Sequence, residues 1–174
     1  FTADINTITN LNVNNSNISD LTGIEDFIAL EELICWGNSI QNVDVSNNVA
    51  LKKINISGNQ LSSINIDNNI NLEYLDVGSN QFNNIDISKN TLLEVFACNN
   101  NQFTSLNITS NINLNYLFAG SKNISIIDLS QNVNLEDIRL HFNQITSIDL
   151  TNLTKLEKLR IHYNQLTSID VSTN

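Results

Sequence analysis

The sequence predicts an all-β-rich solenoid of about eight coils, with two short parallel β-strands in each coil. Three observations predict it. First, Leu30, Leu51, Leu72, Leu93, Leu114, Leu135 and Leu156 recur with a constant period (51 − 30 = 21, and so on). Second, with that leucine as position 0, positions 3, 5, 10, 13 and 15 are apolar in every repeat. Seven repeats of six positions give 42 apolar sites in a chain that is only 41% hydrophobic. Third, position 8 is asparagine in six of the seven repeats: Asn38, Asn59, Asn80, Asn101, Asn143 and Asn164. A fixed period of this length marks repeats that bury a core only by stacking on one another.

The elements follow in order. Residues 1–29 read as an irregular first repeat with a truncated cap, since the stretch from Ile8 to Ala29 is one position longer than the regular period. Residues 30–174 read as seven regular repeats, truncated at the C-terminal end. Positions 3 and 5, such as Ile54 and Ile56, alternate inward as a strand requires, and so do positions 13 and 15, such as Ile64 and Ile66. Coils in register lie about 4.8 Å apart, so eight make a stack of roughly 38 Å. At position 8 the chain bends, and a short amide with donors and an acceptor satisfies backbone groups of neighbouring coils. A second column at position 18, Asn48, Asn69, Asn90, Asn111 and Asn132, is expected to close the other bend in the same way. Lys122 interrupts the first column. An ammonium offers no acceptor, so Lys122 is expected to swing outward, with Asn123 taking over the turn and the coil locally distorted. Cys35 and Cys98 share position 5 three coils apart, about 14 Å by the strand spacing. That exceeds the roughly 7 Å Cα reach of a disulfide, so two buried thiols are expected.

Charge and composition exclude several functions. The net charge of −10 repels phosphate backbones and argues against nucleic acid. The chain has no apolar run of the length, about 18, that membrane insertion needs. No nucleophile–base pair, glycine-rich phosphate loop or metal-ligand spacing occurs, so no catalytic residue, metal or cofactor is assigned and the chain is not expected to be an enzyme.

Function is therefore sought in the outward columns of the first strand, positions 2, 4, 6 and 7. They hold the only Trp, all three Tyr, both Arg and both His. These types dominate binding hot spots, and a solenoid does not need them to fold. The candidate residues are Trp36, Tyr74, Asp76, Tyr116, Phe118, Arg139, His141, Phe142, Arg160, His162 and Tyr163, with the densest cluster at the C-terminal end. Arg139 beside Arg160 suggests an anionic ligand, a carboxylate or a sulfate. His141 beside His162 suggests a stacked polar surface; as metal ligands they lack a third partner, Asp137 being the nearest. The second strand presents Asp44, Asn65, Asp86, Asn107, Asp128, Asp149 and Asp170 at position 14. This stripe reads as a solvated face rather than a calcium site, because each rung offers one oxygen group where calcium takes six to eight.

A resemblance adds to this. The segment ISDLTGIEDFIALEEL resembles the opening repeats of bacterial surface leucine-rich-repeat proteins, including the internalins. The later coils, with NQLSSINIDNN and NQLTSIDVSTN, resemble the 21-residue leucine-rich repeats of secreted Bacteroidetes-like proteins. The resemblance covers nearly the whole chain. It implies the leucine-rich-repeat fold, an extracellular or cell-surface setting, and recognition or adhesion. The expected function is a non-catalytic recognition module that binds a protein partner through the concave strand face. Glycan binding and a structural spacer are the alternatives. A monomer is expected, with end-to-end packing through the open last coil of Leu156, Leu159, Ile161, Leu166 and Ile169.

Overall fold

The computed structural model describes residues 5–121 and 123–174. The start of the expected cap, residues 1–4, and Lys122 lie outside the described residues. Ten short strands follow in chain order: β1 (Asn10–Asn12), β2 (Glu32–Ile34), β3 (Lys53–Asn55), β4 (Tyr74–Asp76), β5 (Val95–Ala97), β6 (Ser105–Leu106), β7 (Tyr116–Phe118), β8 (Ile126–Ile127), β9 (Asp137–Arg139) and β10 (Lys158–Arg160). All but β6 and β8 form one parallel sheet, in the order β1-β2-β3-β4-β5-β7-β9-β10. Each strand pairs with the next coil's strand in strict register, for example Ile54 with Leu75 and Phe96 with Leu117. Asn10 stands opposite Glu32, one step further along the chain than the regular period that later places Glu32 opposite Lys53. Inter-coil bonds continue beyond the strands: Gly58 N–H donates to Gly78 O, Ser79 to Asn99 and Asn100 to Gly120, each at 2.8 Å.

The inward positions form one continuous core. Leu33, Ile54, Leu75, Phe96, Leu117 and Ile138 are fully buried, flanked on each side by more exposed neighbours. Positions 0, 5, 10 and 15 are buried through the middle coils as well. At position 10, Phe82 and Phe103 stack with ring centroids 6.5 Å apart and planes 9° apart. Position 13 is shallower: Val43, Ile64, Ile85 and Ile148 only partly enter the core. In the last coil Leu156, Leu159, Ile161 and Leu166 are half-buried and Ile169 is exposed.

The second strand differs from expectation. It forms only where β6 pairs with β8, and no other coil among the described residues contributes to that sheet. The side chains at position 14 end the extended stretch in every coil, those of β6 and β8 included, where Asn107 and Asp128 accept from Thr109 and Ser130. The Oδ1 atoms at this position accept the backbone N–H two positions on: Asp44 from Ser46, Asn65 from Asp67, Asp86 from Ser88, Asp149 from Thr151. Such side-chain bonds compete with a strand ladder and bend the chain immediately after position 15. The stripe is exposed, as the sequence implies, but its members are turn formers. Hydrogen bonds from Ser130 hold the Asp128 carboxyl below the usual carboxylate range, and those from Ser172 do the same for Asp170.

The two asparagine ladders also differ from one another. In the first, Asn59 Nδ2 donates to Cys35 O (3.0 Å) and Ile56 O (2.9 Å), and its Oδ1 accepts Ile40 N–H (3.0 Å). Asn80, Asn101, Asn143 and Asn164 repeat this pattern, so each amide sews its coil to the one before. In the second, Asn69 Nδ2 donates to Val45 O (3.1 Å) and Asn48 O (2.9 Å). There the Oδ1 atoms of Asn48, Asn69, Asn90, Asn111 and Asn132 are buried without a partner among the described residues. The second bend is thus closed by donation alone, not in the same way as the first. Leu153 takes this position in a later coil and keeps the same turn, with Leu156 N–H donating to its carbonyl at 3.0 Å. Asn123 does not take over the role expected of it beside Lys122: it is exposed, and no ladder bond among the described residues runs from it. Instead Asn143 Oδ1 accepts both Ser121 N–H (3.3 Å) and Ile124 N–H (3.1 Å).

Cys35 and Cys98 are free, buried thiols. Burial pushes the Cys35 thiol up to about 12 and raises Cys98 as well. No helix among the described residues is long and apolar enough to cross a membrane.

Candidate binding face

The outward face of the eight-stranded sheet is built by the register. Strict pairing of β9 with β10 sets Arg139 opposite Arg160, and the turn that follows brings His141 beside His162 and Phe142 beside Tyr163. His141 and His162 stack with centroids 5.2 Å apart and planes 9° apart; Phe142 and Tyr163 stack at 4.6 Å and 6°. The two stacks meet at near right angles, His141 against Phe142 at 71° and Phe142 against His162 at 73°. Four rings thereby line a corner on the last two rungs.

Position 7 is a left-handed turn. Gly37 (φ 69°), Gly58 (63°), Ser79 (53°) and Asn100 (54°) occupy it in earlier coils. Phe142 and Tyr163 hold φ 56° in the same turn, which is unfavourable for bulky L-residues. Both are exposed, at 46% and 69%. The glycines at 37 and 58 signalled a left-handed position in the sequence, and that signal was missed.

Arg139 is not free for a ligand. Its Nε and Nη2 donate to Asp137 Oδ1 (3.1 Å) and Oδ2 (2.8 Å), and its guanidinium lies 4.3 Å from the centroid of the Phe118 ring. Asp137 is 3% exposed, buried beneath this fork. The expected clamp of two arginines on an anion is therefore reduced to Arg160, which is exposed and holds no ion pair among the described residues. Asp137 is likewise engaged and does not complete a metal triad with the histidines. Burial, then the neighbouring His162, Arg160 and Arg139 charges, lower the His141 pKa, and its Nδ1 is buried without a partner among the described residues.

The other candidates lie apart or play local roles. Tyr116 donates to Glu136 Oε2 at 3.4 Å and tilts against Phe118, with centroids 6.4 Å apart. The Glu136 carboxylate is the main cause that raises the Tyr116 pKa. Tyr74 carries Lys53 Nζ 5.3 Å from its ring centroid. Asp76 accepts Gly78 N–H at 2.9 Å, and burial raises its pKa. Trp36, 37% exposed, stands near the opposite end of the sheet from Tyr163. The structure thus gathers Tyr116, Phe118, Arg139, His141, Phe142, Arg160, His162 and Tyr163, and leaves Trp36, Tyr74 and Asp76 outside the cluster.

One recess on this face escaped the sequence reading. Asn99, Asn100, Phe118, Gly120, Arg139 and His141 line a cleft of about 220 Å³. Gly120 opens it: a Cβ there would approach His141 Nε2 to 3.2 Å.

Comparisons with known proteins agree with this architecture. The family described as leucine-rich repeats in two copies matches residues 133–174. No curated protein sequence matches the chain significantly. Among solved structures, the functional domain of InlJ from Listeria monocytogenes, described as including a cysteine ladder, is 30% identical with a TM-score of 0.84. That alignment covers 98% of this chain and 43% of that one. Internalin C2 from Listeria monocytogenes is 26% identical with a TM-score of 0.85, covering 99% of this chain and 78% of that one. The internalin InlF of the same organism is 29% identical with a TM-score of 0.78, over 97% and 52%. The chain thus spans less than half the length of the InlJ chain it matches. The class is a leucine-rich-repeat solenoid. Within that class its structural neighbours include bacterial internalins, to which it is similar over almost its whole length.

Proposed function

We propose that the chain is a non-catalytic recognition module of a secreted or cell-surface bacterial protein, and that it binds a protein partner through the outward sheet face centred on β9 and β10. One observation carries this reading. Phe142 and Tyr163 are bulky, exposed and held in a left-handed turn that Gly, Ser and Asn fill elsewhere. Strain of this kind persists where it serves a site rather than the fold. The internalin neighbours support the bacterial, surface-directed setting, and the leucine-rich-repeat fold supports protein interaction.

The protein reading is favoured over a glycan platform by the ring arrangement. Each stack covers the inner faces of its two rings, which leaves less open ring face for a sugar than separate rings would. Capture of proteins on the immobilised chain, competed by soluble variants, tests the reading. The Phe142→Ser/Tyr163→Ser variant should compete at least about tenfold less well, the scale of a hot-spot pair, and Trp36→Ser should compete normally. Capture indifferent to the double variant, or retention of glycans alone, would overturn it.

A further inference from the structure

We infer that the cleft over Gly120 is a subsite for a single tyrosine ring carried by an acidic segment of the protein partner. This rests on the reading of the sheet face as a protein-binding surface and names what one part of it takes.

The geometry is that of a missing step. Along position 6 the residues run Asn99, Gly120, His141 and His162 on successive rungs. The His141 and His162 rings stack at 5.2 Å, close to the strand spacing of about 4.8 Å. Gly120 contributes no side chain to the next step. A planar group seated there continues the stack, with His141 on one side and the Asn99 rung on the other. The cleft of about 220 Å³ is large enough, since a cavity of roughly 150 Å³ accepts benzene.

The lining selects the ring. Asn99 makes no side-chain hydrogen bond among the described residues, and Asn100 Nδ2 reaches only Ser79 Oγ at 3.3 Å. An all-hydrocarbon ring would desolvate these amides without replacing their water contacts. A phenol hydroxyl donates and accepts, and so answers them. Phe118 with Arg139 across its face supplies the remaining wall.

The surroundings select the segment. The chain carries −10 overall and Asp137 neutralises Arg139, so the cations this face offers a partner are Lys158 and Arg160. Lys158 and Arg160 on β10 are exposed, and neither holds an ion pair among the described residues. Acidic residues flanking the tyrosine meet this cationic island, whereas the rest of the molecule repels them.

The test uses the whole chain and two probes: N-acetyl-tyrosinamide, and a pentapeptide with tyrosine between paired acidic residues. Nuclear magnetic resonance follows the backbone and side-chain signals of the whole chain, with the side-chain amides of Asn99 and Asn100 and the imidazole of His141 as reporters of the cleft. Both probes should shift these signals. Replacing tyrosine by phenylalanine in the peptide should weaken binding roughly two- to tenfold, the worth of one hydrogen bond. His141→Ala should weaken it by a similar factor through the lost ring contact. Gly120→Ala would fill the cleft, but its Cβ would meet the His141 carbonyl oxygen at 2.9 Å and shift the rung. Asn99→Leu blocks the far wall without that clash and should abolish the shifts while leaving the melting temperature unchanged. Shifts confined to Phe142 and Tyr163 would overturn the subsite and leave the sheet-face reading standing. Shifts confined to residues off the sheet face would overturn both. Binding of methyl glucopyranoside in the cleft in preference to the tyrosine probes would overturn the ligand assigned here.

Discussion

Phe142 and Tyr163 sit one rung apart with ring centroids 4.6 Å apart and planes 6° apart, and both hold φ at 56°. A left-handed L-residue costs about 1–2 kcal/mol, so the pair carries roughly twice that. Their stacking returns about 0.5–1.5 kcal/mol. Asn tolerates the turn, as Asn100 at φ 54° demonstrates. Phe142→Asn/Tyr163→Asn should therefore raise unfolding stability by about 1 kcal/mol, or about 2–4 °C in a chain of this size. Thermal unfolding measures it. A drop of several degrees would mean that the aromatics serve the fold.

The first asparagine ladder should be far less tolerant than the second. Asn101 Nδ2 donates to Val77 O and Cys98 O, both at 3.0 Å, and its Oδ1 accepts Phe82 N–H at 3.0 Å. Asn101→Ala strands Cys98 O and Phe82 N–H, while Val77 O keeps its bond from Asn80 Nδ2 at 3.1 Å, so at about 1–3 kcal/mol per stranded group a loss of more than about 2 kcal/mol is expected. Asn111 already leaves its Oδ1 unpartnered, and Leu153 fills the equivalent position with the turn intact. Asn111→Leu should lose about 1 kcal/mol or less, since Ile87 O and Asn90 O keep the backbone donors Asn90 N–H and Leu93 N–H while a buried apolar group is gained. Urea denaturation of the two variants decides between them; equal losses would refute the distinction.

This contrast also marks how far the sequence could be read. The constant leucine period and the apolar columns placed nearly every inward residue, because burial on a strand repeats with the chain geometry. The columns likewise placed Arg139 opposite Arg160 and His141 beside His162. What a column does not carry is the bonding inside it. The Asp137–Arg139 fork joins side chains two apart on one strand, and the burial of Asp137 follows from that pairing rather than from its place in the pattern. The Asx turns at position 14 looked like an outward strand position, because an outward strand site and a turn both accept Asp and Asn there. The Gly120 cleft depends on the absence of a side chain, and a list of candidate side chains passes over it.

The Asp137–Arg139 fork should be felt in stability, and Arg160 should not. Removing Arg139 leaves a carboxylate that is 3% exposed without its partner. Breaking a buried pair costs up to about 3–5 kcal/mol, but Arg139 is partly solvated, so about 1–3 kcal/mol is the expected loss for Arg139→Gln. Arg160→Gln should leave stability within about 0.5 kcal/mol, as exposed substitutions do. Urea midpoints of the two variants, set against the native chain, check both figures. A destabilised Arg160 variant would contradict the assignment.

The His141–His162 stack should make the fold sensitive to mild acid. Burial and three nearby cationic groups lower the His141 pKa. The unfolded chain has an ordinary histidine pKa of about 6.5, so below that pH it binds a proton that the folded chain resists. The unfolded state then holds more protons, and stability falls as the pH drops through about 6.5 towards the lowered folded value. Between about pH 7 and 5.5 ordinary carboxylates and lysines hold their charge, so the histidines carry most of the titration. The urea midpoint of the native chain should decline over this interval, and His141→Gln should flatten the decline. His162→Gln should raise the His141 pKa, because it removes one of the charges that oppose protonation. A His141 imidazole that titrates at about 6.5, the ordinary histidine value, in both proteins would show that the stack imposes no electrostatic coupling.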